Sequence, residues 1–224
     1  DASFLTELEA HRETLAKAFK RDNPQLDGFT LTEVTQRVLD RLVFLRFLED
    51  KLIETEISVG GFARSGSAWR LFVDDSRRLN ARYNGAVYKP HPLIDTGKLA
   101  ASEDDFRAVC EALSAQYSPY DFNAIPIHIL GSIYERFLGK VIVATEAGAA
   151  VEEKAEVRKA GGVYYTPEYI VRYIVDATVG AQIKDKTPEL IAKLRFADIA
   201  CGSGSFLLNV FDTLLRYHTH WFNE

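Results

Sequence analysis

The sequence predicts an α+β chain: a mainly helical N-terminal region with a β-hairpin, followed by the start of an α/β unit. Three observations predict it. Apolar residues recur at helical spacing up to about residue 139. Two β-prone runs then flank a Gly-containing tetrapeptide. After residue 160 a capped helix, a short apolar strand, a Gly-x-Gly turn and another helix follow in order.

The first helix, residues 3–20, rests on Phe4, Leu5, Leu8, Leu15 and Phe19. The strongest periodicity covers Leu31–Ile53. There Leu31, Val34, Val38, Leu42, Leu45 and Leu52 fall three, four and seven apart, with Arg37, Arg41, Arg46, Glu49 and Asp50 between them. Thr30 or Thr32 is placed to cap it. The Gly- and Ser-rich stretch Val59–Ser67 reads as a loop. Ala68–Tyr83 reads as a helix anchored by Trp69, Phe72 and Leu79, and Asn84–Gly97 as a loop holding Pro90 and Pro92. Ser102 with Asp105 resembles a capping box that opens a helix through Leu113. Ser118–Asn123 is a turn. Pro126–Leu138 is a helix with Gly139 as its stop. Val141–Ala144 and Val151–Val157 form the hairpin.

In the last part, Thr166 is read as an N-cap with Pro167 in the first turn of a helix running to about Val179. Thr187-Pro188-Glu189 repeats the device for a short helix ending near Leu194. Phe196–Ile199 is the strand, Cys201–Gly204 the turn, and Ser205–His218 the closing helix. The expected division is 1–140 for the helical region, 141–160 for the hairpin and connector, and 161–224 for the α/β part.

The bulk composition sets limits. With 224 residues, 47% hydrophobic and 26% charged, the chain is of ordinary globular type. It has no apolar run long enough for a bilayer and no N-terminal signal pattern, so no membrane association is expected. Cys110 and Cys201 lie far apart and suggest no disulfide framework, which makes a reducing cytoplasm the expected location. A formal charge of -5 argues against a domain that grips DNA phosphates alone. The absence of methionine and the Asp at position 1 lead us to expect a fragment of a longer polypeptide.

The chemistry concentrates in Asp198–Phe206. Glycine at a strand-to-helix turn lets a ligand approach the backbone, and the following helix N-terminus offers N–H groups and partial positive charge. No Gly-Lys-Ser/Thr follows, so it is not a P-loop. Leu207 occupies the third glycine position of a dinucleotide fingerprint. Asp198 with backbone N–H groups suits a ligand carrying both an ammonium and a carboxylate, and S-adenosylmethionine is one. The alternative is a plain Gly-rich turn whose aspartate is satisfied by backbone. Tyr164 and Tyr165 either stack on a base or pack, and from the residues alone packing is favoured.

Other segments read as structural. His218 and His220 are two apart on a helix and so point to different faces, a weak metal pair. His128 lies in an apolar helix. Glu49-Asp50-Lys51 lies inside a periodic helix and reads as a solvated face rather than a nuclease motif. Arg70, Arg77, Arg78, Arg82 and Lys89 interleave with Trp69, Phe72, Tyr83 and Tyr88. This is a stretch able to meet a DNA backbone, although a surface helix with snorkelling arginines is favoured.

Gly161–Val175 (GGVYYTPEYIVRYIV) and Phe196–Leu208 (FADIACGSGSFLL) together resemble motif X and motif I of N6-adenine DNA methyltransferases. The likeness is to the large restriction–modification methylases, both type IIG restriction enzyme/methylases and type I modification subunits. Residues 31–51 and 122–142 are similar to the helical region before motif X in the type IIG group, and the X-before-I order fits the γ arrangement. Ile199 departs from the usual proline.

The resemblance implies a Rossmann-like S-adenosylmethionine-dependent methyltransferase domain beginning at residue 161. Its cofactor pocket would involve Tyr164, Tyr165, Thr166, Pro167, Asp198, Ala200, Cys201, Gly202, Ser203, Gly204 and Phe206. No covalent cysteine and no metal are implied. It also implies double-stranded DNA as a partner, held mostly by other parts of the protein, and a nuclease or specificity domain or subunit. The family's catalytic Asn/Asp-Pro-Pro-Tyr/Phe does not occur in these 224 residues; Asp121-Phe122-Asn123 and Asn23-Pro24-Gln25 are poor imitations. The acidic residue that holds the cofactor ribose is expected after Glu224. The expectation is half a cofactor pocket, inactive alone. The competing expectation is a helical interaction module that docks a nuclease or specificity subunit.

Overall fold

A computed structural model of the chain describes residues 2–83, 85–125, 140–145, 148–153, 166–202 and 204–223. The expected helix Pro126–Leu138, His128 within it, and the connector before Thr166 lie outside the described residues. The chain divides into two compact units, Asp1–Ile125 with Lys140–Ala155, and Pro126–Gly139 with Glu156–Glu224.

The first unit is helical. Its elements are α1 (Ala2–Asp22), α2 (Gly28–Asp50), α3 (Val59–Arg64), α4 (Ala68–Tyr83) and α5 (Glu103–Leu113). The hairpin β1 (Lys140–Thr145) and β2 (Gly148–Glu153) belongs to the same unit. Helix α2 begins earlier than the threonines suggest. Asp27 is its N-cap and its carboxylate accepts the Thr30 N–H at 2.7 Å. Thr32 has another job: its hydroxyl accepts the N–H of Ile142 at 2.8 Å, tying β1 to α2. Arg12 donates to the Lys140 carbonyl at 3.2 Å, and the Lys140 ammonium pairs with Glu9, tying β1 to α1. The second strand starts at Gly148, earlier than the β-prone run, because Thr145 pairs directly with Gly148 in an antiparallel register.

The stretch Val59–Ser67 is not wholly a loop. Ser58 accepts the Gly61 N–H at 2.9 Å and so starts the short helix α3, whose Val59 and Phe62 are buried. An N-cap serine outweighs two adjacent glycines when the turn it starts also buries apolar side chains. Phe62, Phe72, Trp69 and Phe106 then form an aromatic cluster with edge-on and tilted contacts 5.1–5.7 Å apart.

Helix α2 ends in a Schellman turn. The Ile53 N–H reaches the Leu48 carbonyl and the Leu52 N–H reaches Glu49, both at 2.9 Å. This places Leu52 in left-handed backbone at φ 56°, a site that favours glycine, with its side chain 80% exposed. Leu52→Gly therefore relieves strain and loses no packing. We expect a gain of up to about 1 kcal/mol in denaturant unfolding, and a loss would show that Leu52 has an unrecognised contact.

The loop 85–99 is held to α2 by a buried cation. Arg41 binds Asp95 through two parallel bonds of 2.9 and 2.8 Å, and donates to the carbonyls of Val87 and Lys89. Tyr88 returns a bond from its hydroxyl to the Arg41 carbonyl at 3.0 Å. His91 is buried with Nδ1 accepting the Leu93 N–H at 3.2 Å, and its Nε2 lies 3.4 Å from Glu33.

Burial lowers the His91 pKa from 6.5; Glu33 and Asp95 oppose this, while Arg37 and Arg41 reinforce it. Burial would raise the Asp95 pKa, but the bonds from Arg41 and the His91 N–H, with the Arg41 and Arg77 charges, bring it below 3.8. Both groups bind their proton less well folded than unfolded, so both favour the fold at neutral pH. Stability is expected to begin falling as pH drops below 6.5 and to fall again below 3.8. Arg41→Met should cost about 3–5 kcal/mol at pH 7 by leaving Asp95 buried without its partner. Urea unfolding across pH tests both; a flat profile between pH 7 and 5 would remove His91 from the account.

In the second unit, α6 (Glu168–Val175), a π turn (Asp176–Gly180) and α7 (Ala181–Ile183) form one continuous helix. Helices α8 (Pro188–Ile191) and α9 (Ser205–Asn223) follow. Val171, Val175, Val179, Ile183 and Ile191 make the buried core, flanked by Phe196, Phe206, Val210, Leu214 and Tyr217. Helix α9 packs one face here, yet none of its side chains is fully buried. Phe196–Ile199 is not a hydrogen-bonded strand. A strand exists by its ladder, and no described residue pairs with this segment. The mainly helical, hairpin-containing α+β expectation therefore holds, and no described helix is long and apolar enough to cross a membrane.

Candidate cofactor site

The turn between Asp198 and Ser205 is built by two left-handed glycines. Gly202 has φ 53° and Gly204 φ 81°. The Gly204 N–H closes the turn on the Cys201 carbonyl at 2.7 Å, and the Leu208 N–H reaches back to Gly204 at 2.9 Å to begin α9. The amides at the start of α9 have no carbonyl one turn earlier to bind, so they face outward with the positive end of the helix dipole. A Cβ built on Gly204 meets nothing within 4 Å, so the space beside Gly204 is open among the described residues.

Asp198 stands at the entrance to this turn. Its Oδ1 accepts the Ala200 N–H at 3.0 Å, and among the described residues no donor meets Oδ2. The backbone bond of the plain-turn reading is therefore present, and one carboxylate oxygen remains for a ligand. Cys201 is exposed, whereas Cys110 is buried with its thiol pKa pushed up by desolvation.

A cleft of about 500 Å³ opens beside the turn. One wall is the row Ile174, Thr178 and Gln182; the other is Arg195–Ile199, with Leu207 and Val210 below. Of the sequence-predicted site residues it collects Asp198 and Phe206. Ala200, Cys201, Gly202 and Gly204 form the turn itself. Tyr164, Tyr165 and Ser203 lie outside the described residues.

Thr166 and Pro167 precede α6 and are not on the cleft wall. Thr166 does not cap that helix. Pro167 is the N-cap, with φ -54° and ψ 141°, and no side chain caps it. The proline's extended ψ delays the helix by one residue, and the residue before a proline is itself kept from helical backbone. Sequence reasoning missed Thr178, Gln182 and Arg195. The signal was the strict four-residue spacing of Ile174, Thr178 and Gln182.

The alternative sites lose their free groups. Arg77 binds Asp74 and the Asp95 carbonyl, Arg78 binds Asp75, and Arg82 binds Glu54 and Glu56. The arginine-rich stretch is thus largely consumed by internal carboxylates. Glu49 accepts the Val59 N–H, and Asp50 pairs with Arg46 and accepts the Phe122 N–H. Burial raises the Glu49 pKa. His218 Nδ1 lies 2.8 Å from the Leu214 carbonyl. Among the described residues no three His, Cys, Asp or Glu side chains gather as a metal site.

The turn predicts its own weak point. Gly204→Ala should cost about 1 kcal/mol, since only the positive φ and no clash opposes it. Gly66→Ala, also in open space but without positive φ, should not destabilise. Equal thermal unfolding of the two variants would show that Gly204 is not held in left-handed backbone.

With this geometry in view, the relatives can be stated. Residues 126–221 match the family model described as N-6 DNA Methylase. The chain is also 29% identical over 222 residues to a type II restriction enzyme and methyltransferase, RM.Eco57I, of Escherichia coli. That alignment covers 97% of this chain and 22% of the relative, so the chain spans about a fifth of that protein's length. No solved structure matches. Both findings support the resemblance to an N6-adenine DNA methyltransferase of a restriction–modification system.

Proposed function

We propose, from the N-6 DNA methylase segment as premise, that this chain supplies the first half of an S-adenosylmethionine pocket in an adenine-specific restriction–modification methyltransferase. The observation that carries the proposal is the left-handed glycines Gly202 and Gly204 beside an aspartate with one oxygen unclaimed among the described residues. The donor set fits the cofactor's amino-acid end. The Asp198 carboxylate accepts from an ammonium group, and the amides leading into α9 suit a carboxylate. Gly202 and Gly204 keep side chains out of the way, and Phe206 packs α9 onto the core. Motif X would add Thr166, Pro167, Tyr164 and Tyr165 at the same ligand.

S-adenosylmethionine supplies, when bound, a methyl group activated by a sulfonium centre. This chain's residues hold and orient the ligand. Extrusion of the target adenine and acceptance of its amino protons need an Asn/Asp-Pro-Pro-Tyr/Phe loop, which these 224 residues do not contain. The chain by itself is therefore proposed to bind cofactor without methylating DNA, inside the cytoplasm, with DNA held by other parts of the protein.

A second reading applies to the helical unit. It closes its own core and spends most of its arginines on internal carboxylates. That suits a docking module for a nuclease or specificity subunit rather than a DNA-gripping surface.

Calorimetric titration of S-adenosylmethionine should show binding that Asp198→Ala weakens at least tenfold. Exposed Cys201 offers a second readout, since ligand over the turn should slow its alkylation while buried Cys110 stays unreactive with or without ligand. No binding in the complete polypeptide, together with an unchanged Asp198→Ala variant, would sink the cofactor reading and favour the docking module.

A further inference from the structure

The loop 85–99 encloses one titratable ring. His91 is 5% exposed, and the charged groups around it come from three elements. Helix α2 presents Glu33, Arg37 and Arg41, α4 sends Arg77 to the Asp95 carbonyl, and the loop itself supplies Asp95.

The two ring nitrogens have different partners. Nδ1 lies 3.2 Å from the Leu93 amide nitrogen and 3.4 Å from that of Ile94. Both partners are backbone N–H groups, which only donate, so Nδ1 is the bare nitrogen and the ring proton sits on Nε2. Nε2 lies 3.4 Å from Glu33 Oε1. The neutral ring with its proton on Nε2 is the form that matches these partners.

A second proton has one place to go, Nδ1, and there it would meet two amide hydrogens. Leu93 and Ile94 would lose their acceptor, and a full charge would sit in a buried site near Arg37 and Arg41. Glu33 offsets this only in part, since its side chain is 45% exposed and water screens it. Asp95 is already bound twice by Arg41.

The disturbance is local. The His91 N–H donates to the Asp95 carboxylate at 2.6 Å, and the Asp95 N–H donates back to the His91 carbonyl at 3.1 Å, so the turn closes on itself. Upstream, Arg37 holds the Ala86 carbonyl and Arg41 those of Val87 and Lys89, and neither guanidinium titrates. The hydrogen-bond ladders of α2 and α4 run independently of the ring.

We propose that the turn 91–95 is a proton-operated latch, closed over Ile94 while His91 is neutral and opened when Nδ1 takes a proton, with the helices around it still folded. Opening bares Ile94, which is fully buried in the closed turn. It also frees Arg77 from the Asp95 carbonyl and leaves it to Asp74.

Amide exchange and ring-nitrogen NMR on the 224-residue chain test this. At pH 7 the His91 nitrogen shifts should report a proton on Nε2 alone. Between pH 7 and pH 5 the protection of Leu93 and Ile94, corrected for intrinsic exchange, should fall at least fivefold. At pH 5 both should still exchange at least a hundredfold more readily than Val38, deep in α2. His91→Asn puts an oxygen where Nδ1 stands and takes up no proton, so it should keep the turn protected and indifferent to pH over this range. Glu33→Gln removes an opposing charge and should enlarge the parent's fall.

A proton on Nδ1 at pH 7, unchanged protection at pH 5, or a fall that persists in His91→Asn would overturn the latch. Equal protection of Leu93 and Val38 at pH 5 would overturn it too, because the proton would then act by unfolding the whole unit. If His91→Asn does not fold, the parent's ring shifts and the comparison of Leu93 with Val38 still decide.

Discussion

Backbone groups that leave water must find partners, and at several turns and loops of the helical unit charged and amide side chains provide them. Arg41 takes the carbonyls of Val87 and Lys89. Asn23 exchanges both its bonds with Ala100 and also donates to Phe19. Asp50 takes the amide of Phe122, Glu49 that of Val59, and Glu54 those of Glu56 and Ile57. An unpaired buried amide or carbonyl costs about 1–3 kcal/mol, so each of these side chains fixes where a loop can lie. The helical unit depends on this more than on the count of its ion pairs, many of which are exposed and weak.

The same requirement explains what could be read from the residues and what could not. Helix existence was legible because Leu31, Val34, Val38, Leu42 and Leu45 repeat at helical spacing and are all buried. The starts were less legible. Asp27, not Thr30 or Thr32, caps α2, because Thr32 serves the hairpin, a partner 110 residues away. Helix α3 hid behind two glycines whose unfavourable propensity the Ser58 cap and the buried Phe62 overcome. Long-range partners of this kind leave no local trace. Glu49-Asp50-Lys51 reads as a solvated face, yet Glu49 accepts the Val59 N–H and Asp50 pairs with Arg46 and accepts the Phe122 N–H.

The candidate site was legible for a different reason. Glycine at a turn and an aspartate before it are local chemistry: Gly202 and Gly204 take left-handed backbone, and Asp198 accepts the Ala200 N–H. The helix wall was not legible, because a four-residue repeat imitates an imperfect α-helical stripe unless the hydrogen-bond ring is known to widen. The strand Phe196–Ile199 was overread. Its β-prone, apolar residues describe a segment suited to a sheet, while the sheet itself is a property of neighbours that no local pattern contains.

Helix α9 carries an apolar face in the core and a second one in solvent, with Phe211 62%, Leu215 54% and Phe222 73% exposed. During synthesis this helix would emerge with that second face bare, alongside the fully exposed Ile199. Such a surface is what holdase chaperones bind and what drives association between nascent chains. The yield of soluble protein should therefore be set at this face rather than in the self-contained helical unit.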